Sequence, residues 1–319
     1  DSAKVIEALA NYPPRWPVSA QWLQKRDVGS ISHALRHVAK WVWHAPKEIA
    51  AATELVERII GGFAIARALA PKFTHEGETR EGIIKKLALH CERATFVSLV
   101  KFIDSLAREV EARKPANRRR GTIEEEKARK HRLAARQMVN PQGISIAAKL
   151  LESEGVAPAN ARTLQELRKL CPKARAPIDE ATTADIDEYF ERGEGAFVAI
   201  DTAAVRTAIK SAPKGRTKDV EGVRFEHLQG IVKFANKEAL SALTLIIETM
   251  ARHPRAAFKT IAKARMVGIP KKETQIRPIG ITSVFRRVWG KVVLTDVGNT
   301  VSKHLLNSNP QAAQLAVGV

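Results

Sequence analysis

From Ile83 to Val110 the chain repeats apolar residues at steps of three and four, in the run EGIIKKLALHCERATFVSLVKFIDSLAREVEARK. That is the period of α-helix with one face against a core. The earlier run PKEIAAATELVERIIGGFAIARAL places Ile49, Leu55, Ile59 and Ile60 on one helical face, with Gly61-Gly62 expected to interrupt it. Aromatics supply 5% of the chain, and Ala, Leu, Ile and Val carry most of the 45% that is hydrophobic. That mixture favours helix over sheet. Residues 1–115 are therefore expected to form a run of helices, and no internal repeat is visible.

The 319 residues suffice for one large domain or two ordinary ones. A net charge of +19 predicts an anionic partner, with nucleic acid first and an acidic membrane surface second. Two cysteines, Cys91 and Cys171, exclude a disulfide framework, and neither belongs to a cluster with zinc-ligand spacing. A reducing intracellular compartment is the natural reading. No apolar run approaches the ~18–20 residues needed to cross a bilayer, so no membrane partner is expected. The chain begins at Asp1. A removed targeting peptide, a disordered leader or a trimmed chain would each explain that start.

Several residues invite functional readings. Trp41 and Trp43 in WVWH could stack on bases, but are expected to be packing anchors. His33 and His37 have a spacing suitable for metal on a helix, without further ligands nearby. ARKPANRRRG breaks the helix at Pro115, Asn117 and Gly121 and carries Arg118, Arg119 and Arg120 as candidate phosphate contacts. A helix is expected from about 122, then two short ones from about Ser145 and Thr163. Asp201 in FVAIDTAAV could be a polymerase-type metal carboxylate, but is expected to be a helix N-cap.

Charge then concentrates. From Lys210 to Lys303 there are 19 Lys and Arg against 7 Asp and Glu, a net of +12. SAPKGRTKDVEGVRFEHL reads as a basic loop, carrying Lys214, Arg216 and Lys218, into a helix starting near Gly222. Helix 237–251 should be buried. RMVGIP and IRPIGIT read as a hairpin with Lys271, Lys272 and Arg277 at its tip and on its second strand. A helix capped by Ser283 or Thr282 follows, with Val284, Val288, Val292 and Leu294 on its apolar side. Arg286 and Arg287 fall in its first turn, where cations oppose the helix dipole and call for a nearby anion.

The segments KSAPKGRTKDVEGVRFEHL, RMVGIPKKETQIRPIGITSVFRRVWGKVV and QAAQLAVGV resemble, in this order, reverse transcriptases of the non-LTR retrotransposon class. GISIAAKLLESEGVAPANARTLQELRKLCP resembles the segment these proteins place before the polymerase domain. The resemblance covers about residues 122–319, and RPIGITSVFRRVWGKVV is its most specific element. It implies a truncated fingers subdomain whose hairpin places Lys271 or Lys272 and Arg277 over a polyphosphate. A flexible point charge and a bidentate guanidinium can share one polyphosphate. The loop at 213–222 departs from the compact Gly-Pro-Asp-Gly of that class. Polymerisation in the class also needs two Mg²⁺ ions on carboxylates that follow this helix, and after Glu273 the sequence holds Asp296 alone. The chain as given is therefore not expected to polymerise, and Mg²⁺ would enter only with a downstream catalytic half.

The expected fold is mainly α with a small β element (α+β), its strands near 197–200, 265–270 and 276–281. It divides into a helical region over 1–115, a helical pre-fingers segment over 122–195 and a fingers-like segment over 196–319. The leading functional expectation is a catalytically inactive, reverse-transcriptase-derived RNA-binding protein. Its partners would be structured RNA, ribosomal RNA first, and other proteins of a large ribonucleoprotein such as an organellar ribosome. The mitochondrion is the expected location, with the nucleus as alternative. Two other readings stand beside it: the N-terminal part of an active retroelement RNA-directed DNA polymerase, and a helical protein-interaction adaptor.

Overall fold

The computed structural model describes residues 2–13, 23–68, 79–112, 123–138, 160–171, 199–213, 218–235, 237–271 and 275–295, with positions 147, 151 and 157. The chain forms two compact units. The first comprises Asp1–Ala112, Ile178–Arg265 and Ile281–Val319; the second comprises Arg113–Pro177 and Met266–Gly280. The described residues are mostly helical with one two-stranded sheet, as the composition implies.

In the first unit, α1 (Ser2–Asn11), α2 (Lys25–His44), α3 (Ile49–Ala68), α4 (Arg80–Glu92) and α5 (Phe96–Ala112) come from the N-terminal third. α8 (Thr202–Lys210), α9 (Phe225–Phe234), α10 (Lys237–Arg252), α11 (Phe258–Ala262) and α12 (284–295) join them. α2 is central: Val28, Ile31, Leu35, Val38 and Val42 recur at helical spacing, all buried, and α3, α4, α9 and α10 pack on it. Its start is fixed by Asp27, whose Oδ2 accepts the Gln24 N–H at 2.9 Å. Residues of the N-terminal helices and of the segment after 200 line one continuous apolar core.

Three local details depart from the sequence pattern. The run from Ile83 to Val110 is two helices, because Arg93-Ala94-Thr95 turns the chain with Ala94 at φ 51°. The Thr95 N–H closes that turn on the His90 carbonyl at 3.0 Å. Gly61 and Gly62 do not interrupt α3. They admit close neighbours: a Cβ at Gly62 would lie 2.7 Å from Ile103 Cδ1, and one at Gly61 would lie 3.3 Å from the Glu221 carbonyl. Trp41 packs against the core as an anchor, whereas Trp43 is 69% exposed.

Asp201 is the N-cap of α8, its Oδ1 accepting the Ala203 N–H at 3.1 Å. Ile200, and Ala199 before it, are not strand, so the β element expected near 197–200 is absent from those two positions; 197 and 198 lie outside the described residues. α9 begins at Phe225, three residues later than expected. The delay has a cause: Asp219 closes a loop on Val223 through N–H to carbonyl at 2.9 Å, with Gly222 at φ 83° inside it. Only glycine takes that backbone conformation cheaply.

In the second unit, α6 (Ile123–Met138) and α7 (Ala161–Leu170) accompany β1 and β2, which span Ala264–Lys271 and Gln275–Thr282 and pair with each other. Their first two and last two residues respectively belong to the first unit. Asn160 caps α7 by accepting the Thr163 N–H at 2.9 Å. Gly268 in β1 leaves room for Ile276 of β2. A Cβ there would lie 2.5 Å from Ile276 Cγ2 and 3.5 Å from Thr163 Cγ2, and the Gly268 carbonyl accepts the Ala157 N–H at 2.8 Å. The short helix expected near Ser145 falls mostly outside the described residues. No helix among the described residues is long and apolar enough to cross a membrane.

Candidate nucleic-acid interface

The hairpin presents its cations through strand alternation. Along β2, Gln275, Arg277 and Ile279 are exposed while Ile276 and Pro278 are half-buried. On α7, Arg162, Glu166 and Leu170 fall at i, i+4 and i+8 and so share one face. These three residues and Gln275 to Pro278 line an open groove of about 600 Å³. Two basic residues, Arg162 and Arg277, and three apolar ones, Leu170, Ile276 and Pro278, thus line one concavity. Its carboxylate, Glu166, is paired with Lys169 Nζ at 3.0 Å. Such a lining can offer guanidiniums to a phosphate and apolar side chains to a flat or apolar group.

The other cations singled out in the sequence divide. Lys271 ends β1, its side chain outside the described residues, and Lys272, Lys214, Arg216, Arg118, Arg119 and Arg120 lie outside them altogether. Lys218 is half-buried beside the Asp219 loop.

Arg286 and Arg287 sit in the first turn of α12, as expected, but both are engaged within the first unit. Arg286 donates through Nη1 to the Ile261 carbonyl. Arg287 lies over the Phe225 ring, 4.9 Å from its centroid, and feels the charges of Asp219, Glu57 and Glu226. Burial pulls its pKa down and those acids oppose the pull. The anion that the cationic helix start calls for is therefore the protein's own. Asp219 Oδ2 accepts the Val284 N–H at 3.0 Å, and Ser283 caps α12 by accepting the Phe285 N–H at 3.2 Å. Val284, Val288 and Val292 are buried as expected, whereas Leu294 is 71% exposed.

Behind this cap lies an acidic cluster that sequence reasoning missed. Glu57 of α3, fully buried, accepts the Ser283 hydroxyl, and Glu221 pairs with Lys263. Burial, then Asp219 and Glu221, push Glu57 well above the usual carboxylate range, against the Ser283 hydrogen bond and Lys263. Burial pushes Asp219 up to about 6, although the Val284 and Val223 amides, Arg287 and Lys263 oppose it. Burial also raises Glu221 against Lys263. Lys263 is raised in turn: burial disfavours its charge, but Glu221, Glu54 and Glu57 outweigh that. The signal for Glu57 was present in ELVERII, where an acid follows Leu55 and Val56 and precedes Arg58, Ile59 and Ile60 on a helix buried nearly all round.

The remaining candidates are quieter. His33 and His37 contact each other, Nε2 to Nε2 at 3.1 Å, on an exposed face, and no group of three or more His, Cys, Asp or Glu among the described residues could hold a metal. Cys91 is buried and Cys171 exposed, both free, and burial pushes the Cys91 thiol up to about 12. No family model, curated protein or solved structure matches the chain.

Proposed function

We propose that the chain is a basic RNA-binding component of a ribonucleoprotein, built on a reverse-transcriptase-like fingers scaffold and acting by binding rather than catalysis. The particle this reading favours is an organellar ribosome, with ribosomal RNA as ligand and neighbouring proteins as further partners. The carrying observation is the α7–β2 groove, which Arg277 and Arg162 line together with Leu170, Ile276 and Pro278. The lining holds charge-assisted donors for phosphate and surface for a base or ribose, and its one acid is paired with Lys169. The net +12 between Lys210 and Lys303 supplies the longer-range attraction that nucleic acid rewards.

The test is titration of the purified chain with unrelated structured RNAs at several salt concentrations. Binding should be tight at low salt for every RNA, with log K falling linearly against log salt as counterions are released. Absence of binding at low salt would remove the reading. Salt-independent binding would move the contact from phosphate to another chemistry.

A further inference from the structure

Glu57, Asp219 and Glu221 put three carboxylates in the interior of the first unit, one from α3 and two from the loop before α9. Each is committed to a different element. Glu57 holds Ser283; Asp219 holds Val223 through Oδ1 at 2.7 Å and Val284 through Oδ2 at 3.0 Å; Glu221 holds Lys263. The charges facing them are Lys263 and Arg287 as the principal cations, with Glu54 and Arg58 from α3 and Arg265 from β1; Glu226 of α9 in turn faces Arg287, and Arg224 faces Arg265. A third buried negative charge beside two others is costly, and such groups keep a proton in preference to ionising.

We propose that Glu57, Asp219, Glu221 and Ser283 form a proton-dependent latch. With a proton held in the cluster, the first turn of α12 is clamped to α3 and to the 219–223 loop; fully ionised, the cluster repels itself and the junction between β2 and α12 loosens. The two amides that would report it, Val284 and Phe285, are the ones bonded to Asp219 and Ser283.

The sign follows from the upward shifts. A carboxylate raised in the folded state contributes stability that is complete below its ordinary value near 4 and is lost as pH rises through the folded value. For Asp219 that window runs from about 4 to about 6, and for Glu57 it extends further up. The junction is thus tighter at pH 5.5 than at pH 8, opposite to an ordinary paired carboxylate. The latch does not depend on the RNA reading.

The test is amide exchange of the peptide around 281–290, corrected for intrinsic rates, between pH 5.5 and 8, with thermal melts alongside. Protection in the natural chain should fall about tenfold across that range, while α2 peptides stay flat. Glu57→Gln keeps an acceptor for Ser283 without charge, so its protection should be flat and its Tm at pH 8 at least that of the natural chain. Ser283→Ala removes the tie between α12 and α3 together with the Phe285 acceptor, so its protection should be low already at pH 5.5 and change little by pH 8. Flat protection in the natural chain, an unaltered slope in Glu57→Gln, its failure to fold, or natural protection at pH 5.5 in Ser283→Ala would each overturn the latch.

Discussion

The Asp219 carboxylate joins segments 65 residues apart, accepting the Val284 N–H at 3.0 Å with one oxygen while the other closes its own loop on Val223 at 2.7 Å. Asp219→Ala leaves both buried amides without these acceptors. At about 1–3 kcal/mol for each orphaned group, less the relief of a buried charge, the loss should be about 2–4 kcal/mol. Urea unfolding measures it, and Asp219→Asn, which keeps one acceptor, should lose less.

A second buried contact has a different balance. Arg67 grips Asp27 with two hydrogen bonds, Nε to Oδ2 at 2.9 Å and Nη2 to Oδ1 at 2.6 Å, and both side chains are buried. Asp27→Ala leaves the buried guanidinium with Glu81 alone among the described residues, at 3.7 Å, and also removes the Gln24 cap. Breaking such a pair from one side costs about 3–5 kcal/mol. Replacing both residues by apolar ones should recover much of that, a comparison that chemical denaturation of the single and double variants can make.

Ala94 turns the chain between α4 and α5 at φ 51°. Left-handed backbone costs a non-glycine residue roughly 1–2 kcal/mol, whereas glycine costs roughly 0.5–1 kcal/mol in unfolded-state entropy. Ala94→Gly should therefore stabilise by about 0.5 kcal/mol, raising Tm by a degree or two. A fall in Tm would mean the turn is not held as described.

A Cβ at Gly268 would clash with Ile276 Cγ2 at 2.5 Å, whereas Thr163 Cγ2 at 3.5 Å would be in ordinary contact. Gly268→Ala should cost about 1–3 kcal/mol by overpacking. Because Ile276 and α7 line the groove, RNA affinity should fall in the same variant. Unchanged affinity and melting would place the RNA elsewhere.

Much of the helical fold was legible because apolar spacing reports which face is buried, as in α3, α10 and α12. The hairpin was legible from two β-rich runs around KKETQ. The turn at Arg93–Thr95 was not, since no glycine or proline marks it. Gly61-Gly62 misled in the other direction, because glycine also serves close packing inside helices. For the site, Arg277 was visible as a strand cation, whereas Arg162 joins it only through a pairing of α7 with β2 that no local pattern encodes. Arg286 and Arg287 could be placed on their helix, but the partners that engage them come from Ile261, Phe225 and Asp219.

The central claim is that the hairpin and groove hold RNA by its phosphates. Each such contact contributes roughly 0.7–0.9 to the slope of log K against log salt. A chain carrying Lys271→Ala, Lys272→Ala and Arg277→Ala, titrated beside the natural chain, should bind unrelated RNAs about equally weakly. Its slope should be shallower by about two units, with an unchanged melt. Arg287→Ala should instead lower the melting temperature and leave the slope nearly intact, since that side chain lies over Phe225. A well-folded triple variant with the natural affinity and slope would contradict the claim.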